Sequence, residues 1–312
     1  MTPEEFIAEW NAGLPYIEAR TSGSTGHPKL IRLDRSFVEA SARRTNEFFG
    51  INGLSLLHSP LSADYIAGKM MLVRGILAGC TTTFEAPSNQ PLAGYDGNPI
   101  TLLAVVPSQL LGMLQADYPL PHIRHILVGG SAIDPGLRRR LLEAKRDWEV
   151  WETYGMTETA SHIALRKIEG LCPAPFVAMR GIEVSSDERG CLVINMPETD
   201  KLITNDLAEV ISPTQFRILG RADNVIITGG KKVNPEKVEE LLLSAFPDSR
   251  FMLTSEANEK WTSALILFVE GDASTADIEA FCHAELPPHE RPKSIRHVDS
   301  LPLTSNGKLR RH

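Results

Sequence analysis

Residues 101–155 read TLLAVVPSQLLGMLQADYPLPHIRHILVGGSAIDPGLRRRLLEAKRDWEVWETYG. Three apolar runs stand out: TLLAVV (101–106), HILVGG (125–130) and WEVWETYG (148–155). Each ends in a loop, and helical segments lie between them. One of these helices has a clear start, because Asp134 can cap it and Pro135 suits the first helical position. Apolar strands alternating with helices predict an α/β sheet whose ligands meet the chain in the loops at strand ends. VGGSA (128–132) and YGMTETA (154–160) occupy such loops and are the first places to look for chemistry.

Upstream, RSFVEASARRTNEFF (35–49) has helical spacing, and residues 1–19 read as a short helix followed by a strand or loop. After about residue 176 the texture changes. GIEVSS, GCLVIN and AEVISP are short and β-rich with turn residues between them, which predicts a small antiparallel subdomain. Near 220 it changes again. Asn234 and Pro235 open a helix, NPEKVEELLLSAF; two strands follow, RFMLTSE and SALILFVE, then a helix from Ser274 and a polar tail. The expected fold is α/β: a large N-terminal α/β domain (1–220) with a small β-rich subdomain, followed by a compact α+β C-terminal domain (221–312). The boundary is expected near Arg221–Asp223.

The 312 residues allow a large core and two domains, and a formal net charge of -7 disfavours bulk nucleic-acid binding. Cys80, Cys172, Cys191 and Cys282 are scattered without a C-x-x-C pair, so a reducing, cytoplasmic setting is expected. The start, MTPEEFIAEWNAG, is acidic and amphipathic, unlike a secretory signal, and no apolar run reaches the roughly 20 residues a membrane span needs.

TSGSTGHPK (21–29) is rich in glycine and hydroxyls and ends in Lys29. Small residues let backbone N–H groups approach phosphate oxygens, hydroxyls add donors, and the lysine adds charge. A flexible surface turn is the competing reading of the same composition. The Walker pattern does not fit, since Leu30 rather than Ser or Thr follows the lysine.

The loop does resemble the phosphate loop of the adenylate-forming superfamily of acyl-CoA synthetases, luciferases and adenylation domains, and further motifs of that family follow in order. The resemblance implies that Thr21, Ser22, Gly23, Ser24, Thr25, Gly26 and Lys29 bind the β- and γ-phosphates. YGMTETA would put Tyr154 against adenine, Thr157 on the α-phosphate and Glu158 on Mg²⁺. VGGSA would lay Gly129, Gly130 and Ser131 along the adenine and acyl pocket. TNDLAEV (204–210) resembles the segment whose aspartate binds ribose, here Asp206, with Asn205 in place of the usual glycine. In ILGRADNVIITGGKKVNPEKVEE (218–240), Arg221 would meet ribose, Asp223 would be the domain hinge, and Gly229, Gly230, Lys231 and Lys232 would line the coenzyme A tunnel. A hairpin with a solvated lysine pair is the alternative for that last turn. LPLTSNGKLRR places Lys308 where the family has its adenylation catalyst.

These motifs span residues 21 to 308, with only about 20 residues before the first, as in a short-form member. HSPLSADYIAGKMMLVRGILAGCT (58–81) and GRADNVIITGGKKVNPEKVE carry a looser likeness to the short o-succinylbenzoate–CoA ligases of menaquinone biosynthesis. The resemblance implies an enzyme, an acid–thiol ligase that uses ATP, Mg²⁺ and coenzyme A. Its acid is expected to be aromatic, with no nucleic-acid partner and no membrane insertion; a homo-oligomer stays open.

His58, Ser59, Lys69 and Arg74 lie in the segment that borders the acyl pocket in the family, where a second carboxylate would need a cation or several donors. Lys69 or Arg74 could instead snorkel from a helix to solvent. His122 and His125 lack a third nearby ligand and are not read as a metal site; Arg138–Arg140 read as a solvated helix face. Alternative functions are another aryl- or acyl-acid CoA ligase, a stand-alone adenylation domain loading a carrier protein, a silent nucleotide-binding protein that would be expected to lose Glu158 or Lys308, and a module completed by a partner.

Overall fold

The computed structural model describes residues 1–20, 29–258, 262–302, 309 and 311. The chain forms two compact units: residues 1–133, 140–183 and 195–201 make the first, and 134–139, 184–194 and 202–312 the second.

The first unit begins with α1 (Pro3–Asn11), started by a capping box in which Thr2 accepts from the Glu5 amide and Glu5 reaches back to Thr2. β1 (Tyr16–Arg20) and β2 (Leu30–Asp34) pair antiparallel, with Arg20 opposite Leu30. Arg20 and Leu30, one on each strand, are therefore held side by side. α2 (Arg35–Phe49) covers the residues its spacing predicted and stops at Gly50 with φ 64°.

Then come β3 (Leu56–Ser59), α3 (Ile66–Ala78), β4 (Thr81–Phe84), β5 (Ile100–Val105), α4 (Pro107–Leu114) and β6 (Ile123–Val128). α5 (Pro135–Glu143) follows in the chain, its cap and first half counted with the second unit, with Asp134 accepting from the Leu137 amide at 2.9 Å. β7 (Glu149–Gly155), β8 (His162–Lys167) and β9 (Phe176–Ala178) complete the series. The strand order in this unit is β4-β3-β5-β6-β7-β8-β9. β4 through β7 run parallel, and β8 and β9 are antiparallel. Nearly every residue of β5 and β6 is buried, because helices cover both faces of a parallel sheet. Arg138 departs from the solvated face its charge suggested, since it is 1% exposed; Arg140 is exposed. Among the described residues no helix is long and apolar enough to cross a membrane.

In the second unit, β10 (Glu183–Ser186), β11 (Cys191–Asn195), β12 (Leu202–Ser212) and β13 (Gln215–Arg221) lie in that order, with β11, β12 and β13 antiparallel, matching the expected β-rich segment. β14 (Ile226–Thr228) and β15 (Lys231–Val233) form a hairpin, and α6 (Pro235–Ala245) opens with Asn234 accepting from the Lys237 amide. β16 (Arg250–Asn258) and β17 (Thr262–Glu270) pair antiparallel, α7 (Thr275–Glu285) is capped by Ser274, and β18 (Ser294–His297) joins β17 in parallel. Val238 and Leu242 of α6, Phe251 and Leu267 of the sheet, and Ile278 of α7 share one core. β18 was not foreseen, because SIRH is four residues long and lacks an apolar alternation. Arg311 ties the tail to α6 and β16: it donates to Glu239 Oε1 at 2.7 Å and to the Leu253 carbonyl at 3.1 Å.

Candidate active site

β3, β5, β6 and β7 all point the same way, so the segments leaving their carboxyl ends lie along one edge of the first unit's sheet. That edge brings together Ser59, Val106, Gly129–Ser131 and Tyr154–Glu158. Ligands of open α/β sheets bind at such an edge.

The turn after β6 is built for close approach. The Gly129 amide donates to the Val105 carbonyl at 3.1 Å, and a side chain there would lie 2.8 Å from Thr153 Oγ1. Gly130 has φ 88°, which favours glycine. Glu152, buried in β7, accepts from the Ile133 amide at 3.0 Å and from Arg166 Nε at 2.8 Å. It pins the far side of the turn. Sequence reading missed Glu152, which looks there like one more charged residue in a strand.

The turn after β7 is held from within. A Cβ on Gly155 would lie 2.4 Å from the Ser161 carbonyl oxygen, so no other residue fits without moving backbone. Thr159 Oγ1 accepts from the Met156 amide at 2.9 Å and donates toward the Ser161 carbonyl at 2.7 Å. Ala160 takes φ 59°. Thr157 and Glu158 ride on the resulting single turn of 3₁₀ helix, and Glu158 is exposed. Its carboxylate makes no hydrogen bond or ion pair among the described residues. A hard oxygen donor that faces solvent at a strand end fits Mg²⁺, whose other ligands would be phosphate oxygens and water. The Tyr154 ring packs 5.8 Å from Phe176, which also carries the Arg166 guanidinium 4.2 Å from its centroid.

His58 and Ser59, at the end of β3, are both buried. His58 Nδ1 lies 2.8 Å from Thr83 Oγ1, and its ring meets Tyr95 edge-on at 5.1 Å. Neither cation of α3 snorkels. Lys69 is 4% exposed and donates to the Glu18 carbonyl at 2.7 Å, beneath the Phe6 ring; burial lowers its pKa. That bond fastens β1 to α3. Arg74 is 3% exposed. It donates to Ser161 Oγ at 3.0 Å and to Met71 Sδ at 3.4 Å, while its Nε has no partner among the described residues. Burial without a carboxylate lowers its pKa to about 9. Ser161 Oγ also receives Ser41 at 3.2 Å, and the neighbouring His162 Nε2 lies 3.2 Å from Thr45 Oγ1. A buried cation thus sits directly behind the turn bearing Thr157 and Glu158. His125 Nδ1 lies 2.8 Å from Glu149 Oε2, so that histidine already has an anionic partner.

In the second unit, Asp206 and Arg221 face each other across β12 and β13. Arg221 donates to Asp206 at 3.0 Å and to Asp223 at 2.7 Å. This brings the expected ribose pair and the expected hinge into one chain of ion pairs. Gly229 and Gly230 form the two-residue turn of the β14–β15 hairpin with φ 54° and 75°, the positive pair that a type I′ turn demands. Lys231 and Lys232 are exposed on it. Thr228 Oγ1 donates to the Ser263 carbonyl at 2.7 Å, fixing the hairpin to β17. Of the remaining expected residues, Lys29 is exposed where β2 begins; Thr21, Ser22, Gly23, Ser24, Thr25, Gly26 and Lys308 lie outside the described residues.

Residues 15–185, more than half of the chain, match the AMP-binding enzyme family, and residues 252–308 match the AMP-binding enzyme C-terminal domain. An acyl-CoA synthetase (AMP-forming)/AMP-acid ligase II-like protein from Dyadobacter fermentans has a solved structure that is 31% identical to this chain. The match covers 98% of this chain and 90% of that one, with a TM-score of 0.65. The o-succinylbenzoate CoA synthetase of Bacillus subtilis, solved with its acyl-adenylate intermediate, is 21% identical and shares the fold at a TM-score of 0.77; the match covers 94% of this chain and 67% of that one. Among curated relatives, a 2-succinylbenzoate–CoA ligase of Geobacillus sp. is 28% identical and one of Enterococcus faecalis 25%. Each of these two matches covers 94% of this chain and 67% of the relative, so the chain spans about two thirds of their length.

Proposed function

Because this chain belongs to the family of AMP-binding enzymes, we propose that it activates a carboxylic acid with ATP and passes the acyl group to coenzyme A, with o-succinylbenzoate as the acid. The observation that carries this reading is the shared strand edge of Gly129–Ser131 and Tyr154–Glu158, where glycine turns and an exposed carboxylate meet. In the first half-reaction the acid's carboxylate attacks the α-phosphorus of ATP and pyrophosphate leaves. Both reactants are anions, so positioning and charge compensation dominate. Glu158 would hold Mg²⁺, which screens the phosphates; Thr157 would donate to the α-phosphate. The 21–29 segment would cradle the β- and γ-phosphates, Asp206 and Arg221 the ribose, and Lys308 the oxygens on which charge builds.

His58, Ser59 and Arg74 would border the acid, with Arg74 supplying the cation that a second carboxylate requires. In the second half-reaction the coenzyme A thiolate attacks the acyl carbon and AMP leaves. A C-terminal domain beginning at 221 would turn about Asp223, withdrawing Lys308 and bringing the 229–232 hairpin, with its two lysines, to the thiol's path.

A panel of carboxylic acids with ATP, Mg²⁺ and coenzyme A, read by AMP release, tests the proposal. Turnover is expected with o-succinylbenzoate ahead of plain benzoates and fatty acids. No turnover of it beside good turnover of another acid removes the substrate. A second test separates the steps. Lys308→Ala should nearly abolish adenylate formation yet leave thioester formation from preformed acyl-adenylate largely intact; equal loss of both contradicts the role given to it.

A further inference from the structure

Asn205 occupies the position where the resembled motif carries glycine, and its side chain is engaged at both ends. Its Oδ1 accepts from Arg189 at 3.0 Å, and its Nδ2 donates to Asp223 Oδ2 at 3.3 Å. Arg189 is itself held in place. Its Nε donates to Asp187 at 2.8 Å and its other terminal nitrogen to the Thr204 carbonyl at 3.1 Å. Asp187 is fixed in turn by the Cys191 amide at 2.9 Å. A continuous chain of polar contacts therefore runs from Asp187 through Arg189 and Asn205 to Asp223, and on through Arg221 to Asp206. Thr204 braces it from below, since its buried hydroxyl donates to the Leu192 carbonyl and accepts from the Asp206 amide at 3.1 Å.

We propose that Asn205, oriented by Arg189, is a positioning residue that latches the Asp223 carboxylate and so favours the arrangement in which Asp206 and Arg221 grip the nucleotide. The inference rests on the roles proposed above for Asp206, Arg221 and Asp223. A glycine at 205 would leave Asp223 with Arg221 alone of these partners, and the segment 222–225 would turn more freely. The Asn205–Asp223 bond is made together with the Arg221–Asp206 ion pair, so the latch is assigned to the arrangement in which that pair is set for the nucleotide. Its removal weakens the first half-reaction and spares, or speeds, the second.

The test compares the full-length wild type with Asn205→Gly, Arg189→Gln, the double variant and Asp206→Asn. The acid is whichever one releases AMP best in the panel above. Three quantities are read: the KM for ATP in adenylate formation, the rate of thioester formation from preformed acyl-adenylate, and ligand-free hydrogen exchange of the 222–225 amides. For Asn205→Gly, the expected result is a KM for ATP raised roughly five-fold, the scale of one ordinary net hydrogen bond, since this one is long and exposed. Thioester formation should be undiminished and exchange faster. The double variant should be no worse than Asn205→Gly, because both substitutions cut one chain. Parallel loss of both half-reactions, unchanged exchange, or effects that multiply in the double variant would overturn the latch. Asp206→Asn separates the two ideas. If it disables adenylate formation while Asn205→Gly is silent, the latch alone falls. If it leaves adenylate formation intact, the ribose assignment falls and takes the latch with it.

Discussion

Replacing Glu152 with alanine should cost the first unit about 3–5 kcal/mol of stability, as expected when one partner of a buried ion pair is removed. The figure follows from its surroundings. The Glu152 side chain is 2% exposed and that of Arg166 13%, so water replaces neither partner well. Removal leaves the Ile133 amide without its acceptor, about 1–3 kcal/mol, and strands Arg166 in a largely dry site for a similar amount. For a unit of this size the melting temperature should fall on the order of 10 °C. Because Ile133 closes the turn that carries Gly129–Ser131, adenylate formation should fall about ten-fold, equal to ~1.4 kcal/mol of lost positioning. Glu152→Gln should land between, keeping an acceptor for Ile133 while turning an amide toward Arg166. Denaturant unfolding and AMP release check both effects. If Glu152→Ala unfolds within about 1 kcal/mol of wild type, the carboxylate does not hold the turn.

Other substitutions probe the remaining charged sites. Arg74→Met should leave stability unchanged or raised, since a buried guanidinium with no carboxylate beside it and its Nε unsatisfied among the described residues costs more than an apolar chain of similar length, yet it should raise the KM for the acid; denaturation and AMP release separate the two. Arg311→Ala should leave the buried Glu239 carboxylate, already pushed up by burial, without its cation, costing about 3 kcal/mol and exposing the Leu253 amide to faster hydrogen exchange. A fourth prediction concerns pH. Burial, and then the nearby Arg74, hold His162 well below 6.5, and burial also lowers His125. Below 6.5 the unfolded chain therefore binds protons that the folded chain refuses. Stability should fall as pH drops from about 7 to 5, by as much as ~1.4 kcal/mol per pH unit for each such histidine. His162→Gln should flatten that slope in pH-dependent unfolding.

The sheet was legible because buried parallel strands write themselves as apolar runs, and α2 because of its helical spacing. Asp134, Asn234 and Ser274 announced their helices as caps. What stayed hidden was pairing at a distance. Nothing around Glu152 names Ile133 or Arg166 as its partners, and Arg138 reads as solvent-facing until the packed structure buries it. Lys69 and Arg74 pose the same problem: snorkelling and burial are written alike, and only the Glu18 carbonyl and Ser161 hydroxyl decide between them. β18 is short and polar, and takes its strand geometry from β17 rather than from its own residues.

The 155–161 turn sets terms for anyone wishing to retarget the chain. Gly155 has no room for a methyl group, Thr159 is bonded to backbone on both sides, and Ala160 is bent into a left-handed backbone. Random libraries across those seven positions should yield mostly inactive clones whatever the acid offered. Diversity placed at His58 and Ser59 of β3 avoids that turn, whereas on α3 Arg74 should be kept, because it donates to Ser161 of the same turn.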